Sequence, residues 1–212
     1  MRKDIISAWA VKNNIIVTEA QMAQLEKFQQ CVLSANEKIN LTTITDPADF
    51  AVKHFIDSMT LLPYIPQNAT LADIGTGAGF PGIVLRVLRD DIHITLLDSR
   101  NKRIEFLRQT LDELNLQNTE TLHARAEEWA RTGARYDICT ARAVAPMDKL
   151  AKSALPLLIK PGGVLLAMKS ANISEELEKA KPALEKKGGI IEKIDTIEIA
   201  EGIIRSIVVV RC

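Results

Sequence analysis

The chain has 212 residues, of which 47% are hydrophobic and 25% charged, with 27 basic side chains against 27 acidic ones. That is the profile of a globular protein and excludes disorder and low complexity; no apolar run approaches the roughly 18 residues a membrane span needs. Zero net charge excludes a chain that grips nucleic acid mainly through a broad basic surface, so any nucleic-acid recognition has to rest on a local patch or a structured target.

In chain order, residues 3–64 read as helices. Leu25, Phe28, Val32 and Leu33 recur at helical spacing, and Thr18 followed by Glu19 and Gln21 marks a helix start. Asp46-Pro47 opens a further helix carrying Phe50, His54, Ile56, Leu61 and Leu62, closed by Pro63 and Pro66. From residue 69 the period changes. Strands are expected at Thr70–Ile74, His93–Leu97, Thr119–His123, Tyr136–Thr140 and Gly163–Met168, and helices at Pro81–Arg89, Lys102–Asn115, Lys149–Leu158 and Ser174–Lys187. Such alternation builds a parallel sheet with helices on both faces. The ending differs: Ile190–Ile199 and Ile203–Val210 are separated only by Ala200-Glu201-Gly202, too short for a crossover helix, so they form an antiparallel hairpin. The expected division is a helical extension over 1–68, packed on an α/β domain over 69–212.

Met1-Arg2-Lys3-Asp4 lacks the apolar stretch of a secretory leader. Cys31, Cys139 and Cys212 lie far apart, without metal-ligand spacing, which fits free thiols in a reducing cytoplasm and no metal site.

The strongest local signal is the run from Leu71 to Gly82, LADIGTGAGFPG, between a strand and a helix. Gly77-x-Gly79-x-x-Gly82 fits the dinucleotide fingerprint, and Gly75-x-Gly77-x-Gly79 fits the version that binds S-adenosylmethionine. Asp73 separates the two. A carboxylate at that strand end suits a ligand with a cationic amino group and repels a pyrophosphate. Asp98 ends the next strand, where a carboxylate accepts hydrogen bonds from ribose hydroxyls; the alternative is a cap on the helix that follows. Ala126-Glu127 lies in the loop that in this fold borders the adenine, and otherwise starts a short solvated helix.

These segments, with Asn36–Thr42, His54–Ser58, Arg142-Ala143 and Lys160–Gly163, resemble the bacterial small-subunit rRNA guanine 7-methyltransferase family, also called the glucose-inhibited division protein B family. The resemblance covers nearly the whole chain. It implies a Rossmann-like class I methyltransferase fold with a seven-stranded, mostly parallel sheet. It also implies cofactor contacts at Gly75, Phe80, Ala126, Glu127 and Arg142, with Asp98 as the ribose acid. S-adenosylmethionine would be the cofactor and S-adenosylhomocysteine the product. The implied substrate is guanosine 527, in the 530 loop of 16S rRNA, presented on the small ribosomal subunit. Ser170 after Lys169 departs from the glycine expected there.

Guanine nitrogen seven carries no proton, so transfer to it needs in-line placement and no base; positioning alone can supply up to about 7–11 kcal/mol. A neutral or acidic surround would favour the cationic product. Arg142, at a strand end, is the residue expected to orient substrate or cofactor, unless it is bound up in an ion pair with Asp137 or Glu127. His54, Arg100, Arg103 and Lys169 are candidate RNA contacts. His54 otherwise packs the N-terminal helices. Arg100, Lys102, Arg103 and Arg108 form either an RNA face or one solvated helix side. Cys139 reads as an inert strand residue, His93 and His123 as structural, and Trp9 and Trp129 as core. A monomer is expected. Three rivals stand beside this reading: a methyltransferase acting on another RNA or a small molecule, an NAD-dependent oxidoreductase, and a non-catalytic RNA-binding module.

Overall fold

A computed structural model describes all 212 residues. Helix α1 (Lys3–Lys12) and helix α2 (Glu19–Ile39) open the chain. Thr18 and Gln21 exchange side-chain and backbone hydrogen bonds in a capping box, satisfying donors that the first turn of α2 would leave open. Asn40 ends α2 in the left-handed region, and Asn36 Oδ1 accepts from the backbone N–H of Leu41 (2.6 Å) and Thr42 (2.8 Å). The helix expected from Asp46-Pro47 is less regular than its sequence suggests. Asp46 caps α3 (Pro47–Phe50), the backbone then widens to π-helical bonding over Ala51–Ile56, and it returns to α geometry in α4 (Asp57–Met59). A π turn adds a residue to the helical repeat and re-aims the side chains beyond it.

The seven strands are β1 (Thr70–Ile74), β2 (His93–Asp98), β3 (Thr119–His123), β4 (Ile138–Arg142), β5 (Val164–Ser170), β6 (Ile190–Ala200) and β7 (Ile203–Arg211). They lie in the order β3-β2-β1-β4-β5-β7-β6, parallel up to β5, with β7 antiparallel to both β5 and β6. β4 starts two residues later than the apolar run suggests, because Tyr136 makes only an isolated bridge to Leu158. Between the strands run α5 (Gly82–Leu88), α6 (Asn101–Leu114), α7 (Ala126–Ala130), α8 (Met147–Ala154) and α9 (Ser174–Lys186).

Strand alternation divides the interior into two layers. In β5, Val164, Leu166 and Met168 face a core shared with Ile6, Leu25, Phe28, Phe50 and Phe55 of the N-terminal helices and with α5 and α6. Leu165 and Ala167 face the opposite core, built with Leu150, Ala154 and Leu177 of α8 and α9. The N-terminal helices therefore share their interior with one whole face of the sheet. Their far ends bring residues 42–57 to the carboxyl edge of the parallel strands, where open α/β sheets bind ligands.

Candidate active site

The glycine loop leaves β1 under the control of Asp73. This carboxylate is fully buried; Oδ2 accepts from Thr76 Oγ1 (2.6 Å) and Gly82 N–H (2.9 Å), and Oδ1 from Thr140 Oγ1 (3.0 Å). Burial pushes its pKa up to about 6 against those three bonds. The reading of Asp73 as a seat for a ligand's amino group is corrected by this geometry. Oδ2 joins the loop's two ends and Oδ1 turns to Thr140 of β4, and Asp73 lines neither compartment of the cleft. Gly82 lies so close that a Cβ there would sit 2.3 Å from Leu96 Cδ2. Gly77, by contrast, has φ +61° and is uncrowded: a Cβ there would meet only the Arg103 guanidinium and the Gly75 carbonyl, both at 3.9 Å. The backbone is thus left bare where a ligand would approach.

Asp98, the last residue of β2, is nearly buried, and the cap reading describes part of it. Oδ1 accepts from Arg100 N–H (2.9 Å), turning the chain into α6, while Oδ2 accepts from Gly77 N–H (3.0 Å) and Arg103 (3.2 Å). It opens on a cavity of about 460 Å³ that Ala126 and Glu127, at the start of α7, also line, with Arg100 at its edge. Gly75, Arg103 and Ala143 form the wall shared with a second cavity of about 690 Å³. That compartment holds Phe80, His54, Arg142 and Lys169.

Arg142 ends β4 and pairs with neither Asp137 nor Glu127. Asp137 instead accepts from the Thr70 backbone N–H and hydroxyl. The guanidinium reaches across to the N-terminal helices. Nη1 donates to the Lys53 carbonyl (2.8 Å) and to Asp57 Oδ2 (3.3 Å), and Nη2 donates to His54 Nδ1 (3.1 Å). It also lies 5.0 Å from the centre of the Phe80 ring, which stacks on the His54 imidazole at 4.4 Å and 7°.

The partners settle the imidazole's state. An arginine only donates, so Nδ1 must accept and the ring proton sits on Nε2, 2.9 Å from Thr42 Oγ1. Burial, reinforced by the Arg142 charge, pushes the His54 pKa down to about 3. A chain of contacts results: Asn36 orders Thr42, Thr42 orders His54, and His54 orders Arg142.

The remaining candidates separate. Lys169 Nζ donates to the Ala145 carbonyl (2.6 Å) and Glu176 (2.7 Å), so it enters the cleft already paired. The four cations at the start of α6 and along it do not share a face. Arg100 and Arg103 reach the cleft, Lys102 lines a separate groove between α2 and α6, and Arg108 donates to Thr121 Oγ1 on the far side (3.1 Å). Cys139 is buried, its thiol pushed well up by burial. Sequence reasoning missed Asp57 and Arg205, both on the larger compartment. Arg205 had one visible signal: it is the only charged residue of Ile203–Val210.

A seven-stranded sheet closed by an antiparallel hairpin, with a bare glycine loop and an acid ending the next strand, is the arrangement of Rossmann-like methyltransferases. Solved structures agree on the fold. Precorrin-6y C5,15-methyltransferase from Geobacter metallireducens aligns with a TM-score of 0.56 at 18% identity, covering 80% of this chain and 90% of that one. A methyltransferase from Pyrococcus furiosus aligns with a TM-score of 0.56 at 15% identity, covering 89% of this chain and 98% of that one. Sequence comparison is more specific. The family model described as rRNA small subunit methyltransferase G matches residues 21–206. Proteins named ribosomal RNA small subunit methyltransferase G are similar to it over most of their length: 40% identity in Oenococcus oeni, covering 86% of this chain and 78% of that protein. The one from Staphylococcus aureus strain Newman shows 41%, covering 90% and 81%. The chain belongs to the rRNA small subunit methyltransferase G family, and it is an enzyme of the methyltransferase class.

Proposed function

We propose that this protein transfers the methyl group of S-adenosylmethionine to nitrogen seven of guanosine 527 in 16S rRNA, within the small ribosomal subunit. The observation that carries the reading is a cleft of two joined compartments: one is lined by Asp98, Ala126 and Glu127, the other by Gly77, Phe80, Arg142 and Lys169, and they meet at the shared wall of Gly75, Arg103 and Ala143. The residues fit the cofactor. Asp98 would accept from ribose hydroxyls, Ala126 and Glu127 would border the adenine, and Gly75, Gly77 and Phe80 would flank the amino-acid tail, whereas Gly79 packs against Ile83 and Leu107 and supports the loop from behind. When bound, S-adenosylmethionine supplies a methyl group already activated on a sulfonium.

The chain's own contribution is placement. Arg142 is fixed from three sides and cannot drift from the end of β4, where it orients substrate or cofactor; His54 is its anchor. His54 is not poised as a general base, since it is held neutral with its one free lone pair already accepting from Arg142, and the Asp57 carboxylate is held between Arg142 and Arg205. This fits an acceptor that has no proton to lose. Small-subunit specificity is supported by the named relatives at about 40% identity, which argue against a small-molecule acceptor.

The test is incubation of the protein with radiolabelled S-adenosylmethionine and either undermethylated small subunits or free 16S rRNA. Label entering the RNA as N7-methylguanine, mapped by strand scission after borohydride and aniline, is the expected result. Label confined to another base or to small molecules would refute the assignment.

A further inference from the structure

Five cations line the larger compartment: Lys53, Arg103, Arg142, Lys169 and Arg205. Three have a carboxylate each: Lys53 meets Asp49 at 2.9 Å, Arg103 meets Asp98 at 3.2 Å, and Lys169 meets Glu176 at 2.7 Å. The other two share one. Asp57 lies 3.3 Å from Arg142 through Oδ2 and 3.2 Å from Arg205 through Oδ1. In ion-pair contact, these five cations meet four carboxylates, a local excess of one in a chain whose total charge is zero. This departs from the neutral or acidic surround expected from the sequence.

The two arginines are not equivalent. Arg142 is committed inward, to Lys53, His54 and Asp57. Arg205 is not. Its side chain is 28% exposed, and its only hydrogen bond runs from Nη1 to the carbonyl of the adjacent Ile204. Asp57 Oδ1, although within ion-pair distance of Arg205 Nε, is buried without a hydrogen-bond partner. Charge therefore keeps the Arg205 guanidinium at the cleft while most of its donors stay open, and a guanidinium presents those donors in a fork matched to phosphate or carboxylate. Register explains how it gets there. Arg205 pairs with Ser170 across β7 and β5, and it falls on the same strand face as Ile207 and Val209, the face the N-terminal helices cover.

We propose that Arg205 is a substrate-binding residue that seats a phosphodiester of the RNA target, and that Asp57 is the positioning residue that holds it there. The inference rests on the function proposed above and adds a contact to it. A bound phosphate cancels the surplus charge at the moment a cationic product base forms. The same fork would accept the carboxylate of the cofactor's amino-acid tail, so the experiment has to distinguish the two anions.

It compares wild type, Arg205→Gln and Arg205→Lys, each checked by thermal melting. Two quantities are measured: the calorimetric Kd for S-adenosylmethionine, and the half-saturating concentration of undermethylated small subunits in single-turnover methylation over a series of KCl concentrations. For Arg205→Gln, the cofactor Kd should stay within twofold while half-saturation rises about tenfold. The slope of log affinity against log salt should flatten by about 0.7–0.9, the loss of one phosphate contact. Arg205→Lys keeps the charge and should restore the slope. An unchanged half-saturation and slope in Arg205→Gln overturns the proposal, and so does a cofactor Kd that worsens by the same factor, which reassigns the seat to the carboxylate. A wild-type protein that methylates no small-subunit RNA defeats the parent reading instead, and the phosphate seat with it.

Discussion

Replacing His54 with Gln removes a titrating group from the cleft wall while keeping a side-chain acceptor for Arg142, and its consequence is best read as a function of pH. The imidazole's pKa falls from 6.5 to about 3 on folding, mainly through burial and then through the Arg142 charge. Because the folded value is the lower one, the neutral ring's contribution to stability is whole above pH 6.5 and drains away as the pH falls toward 3. At pH 5 the unfolded chain binds a proton at this site and the folded chain does not, a linkage cost of about 2 kcal/mol relative to neutral pH. Asp73, pushed up to about 6, drifts the opposite way: it is destabilising when ionised, and protonation on acidification relieves it. Over pH 7 to 5 the two nearly cancel in the wild type. The informative quantity is therefore the difference in unfolding free energy between wild type and His54→Gln, from urea titrations at each pH. That difference should move by about 2 kcal/mol against the wild type between pH 7 and pH 5, the value the linkage gives. A difference that is constant within about 0.5 kcal/mol would show that His54 protonates equally well in both states, and the account of it as a neutral, Arg142-accepting anchor would fail.

Asp98→Ala should weaken S-adenosylmethionine binding at least tenfold by calorimetry, on the basis of about 1.5–3 kcal/mol for hydrogen bonds to a charged acceptor, and an unchanged Kd in a folded variant would remove Asp98 from the cofactor site. Gly82→Ala places a methyl group 2.3 Å from Leu96 Cδ2 and 2.8 Å from Asp73 Oδ2, and should lower the urea midpoint with little change in m. The expected overpacking cost is about 1–3 kcal/mol, and a neutral result would contradict the close packing of the loop on β2. Single-turnover rates at saturating substrate should be nearly flat from about pH 7 to 8.5, since the proposed acceptor has no proton to lose; a tenfold rise per pH unit would contradict both the mechanism and the acceptor atom.

What the sequence determined by itself is what depends on near neighbours along the chain. The strand–helix period, the three-residue link that forces β6 and β7 into a hairpin, the capping box at Thr18, and the glycine loop with an acid ending β2 all follow from spacing within a few residues. The resemblance to a methyltransferase family was legible for the same reason, because its marks are contiguous runs. Tertiary structure decided where side chains point and which distant groups meet. Asp73 turned inward because Thr76, Gly82 and Thr140 offer it three donors that no linear pattern displays. Arg142 passed over the acids nearest in sequence for Asp57, 85 positions away, because the π turn and the shared core carry the N-terminal helices over the end of β4. Arg205 joined them only through the register of β7 on β5. A buried carboxylate that serves two guanidiniums has no local signature, since its partners are set by the packing of three separate elements and the low dielectric between them makes their charges count.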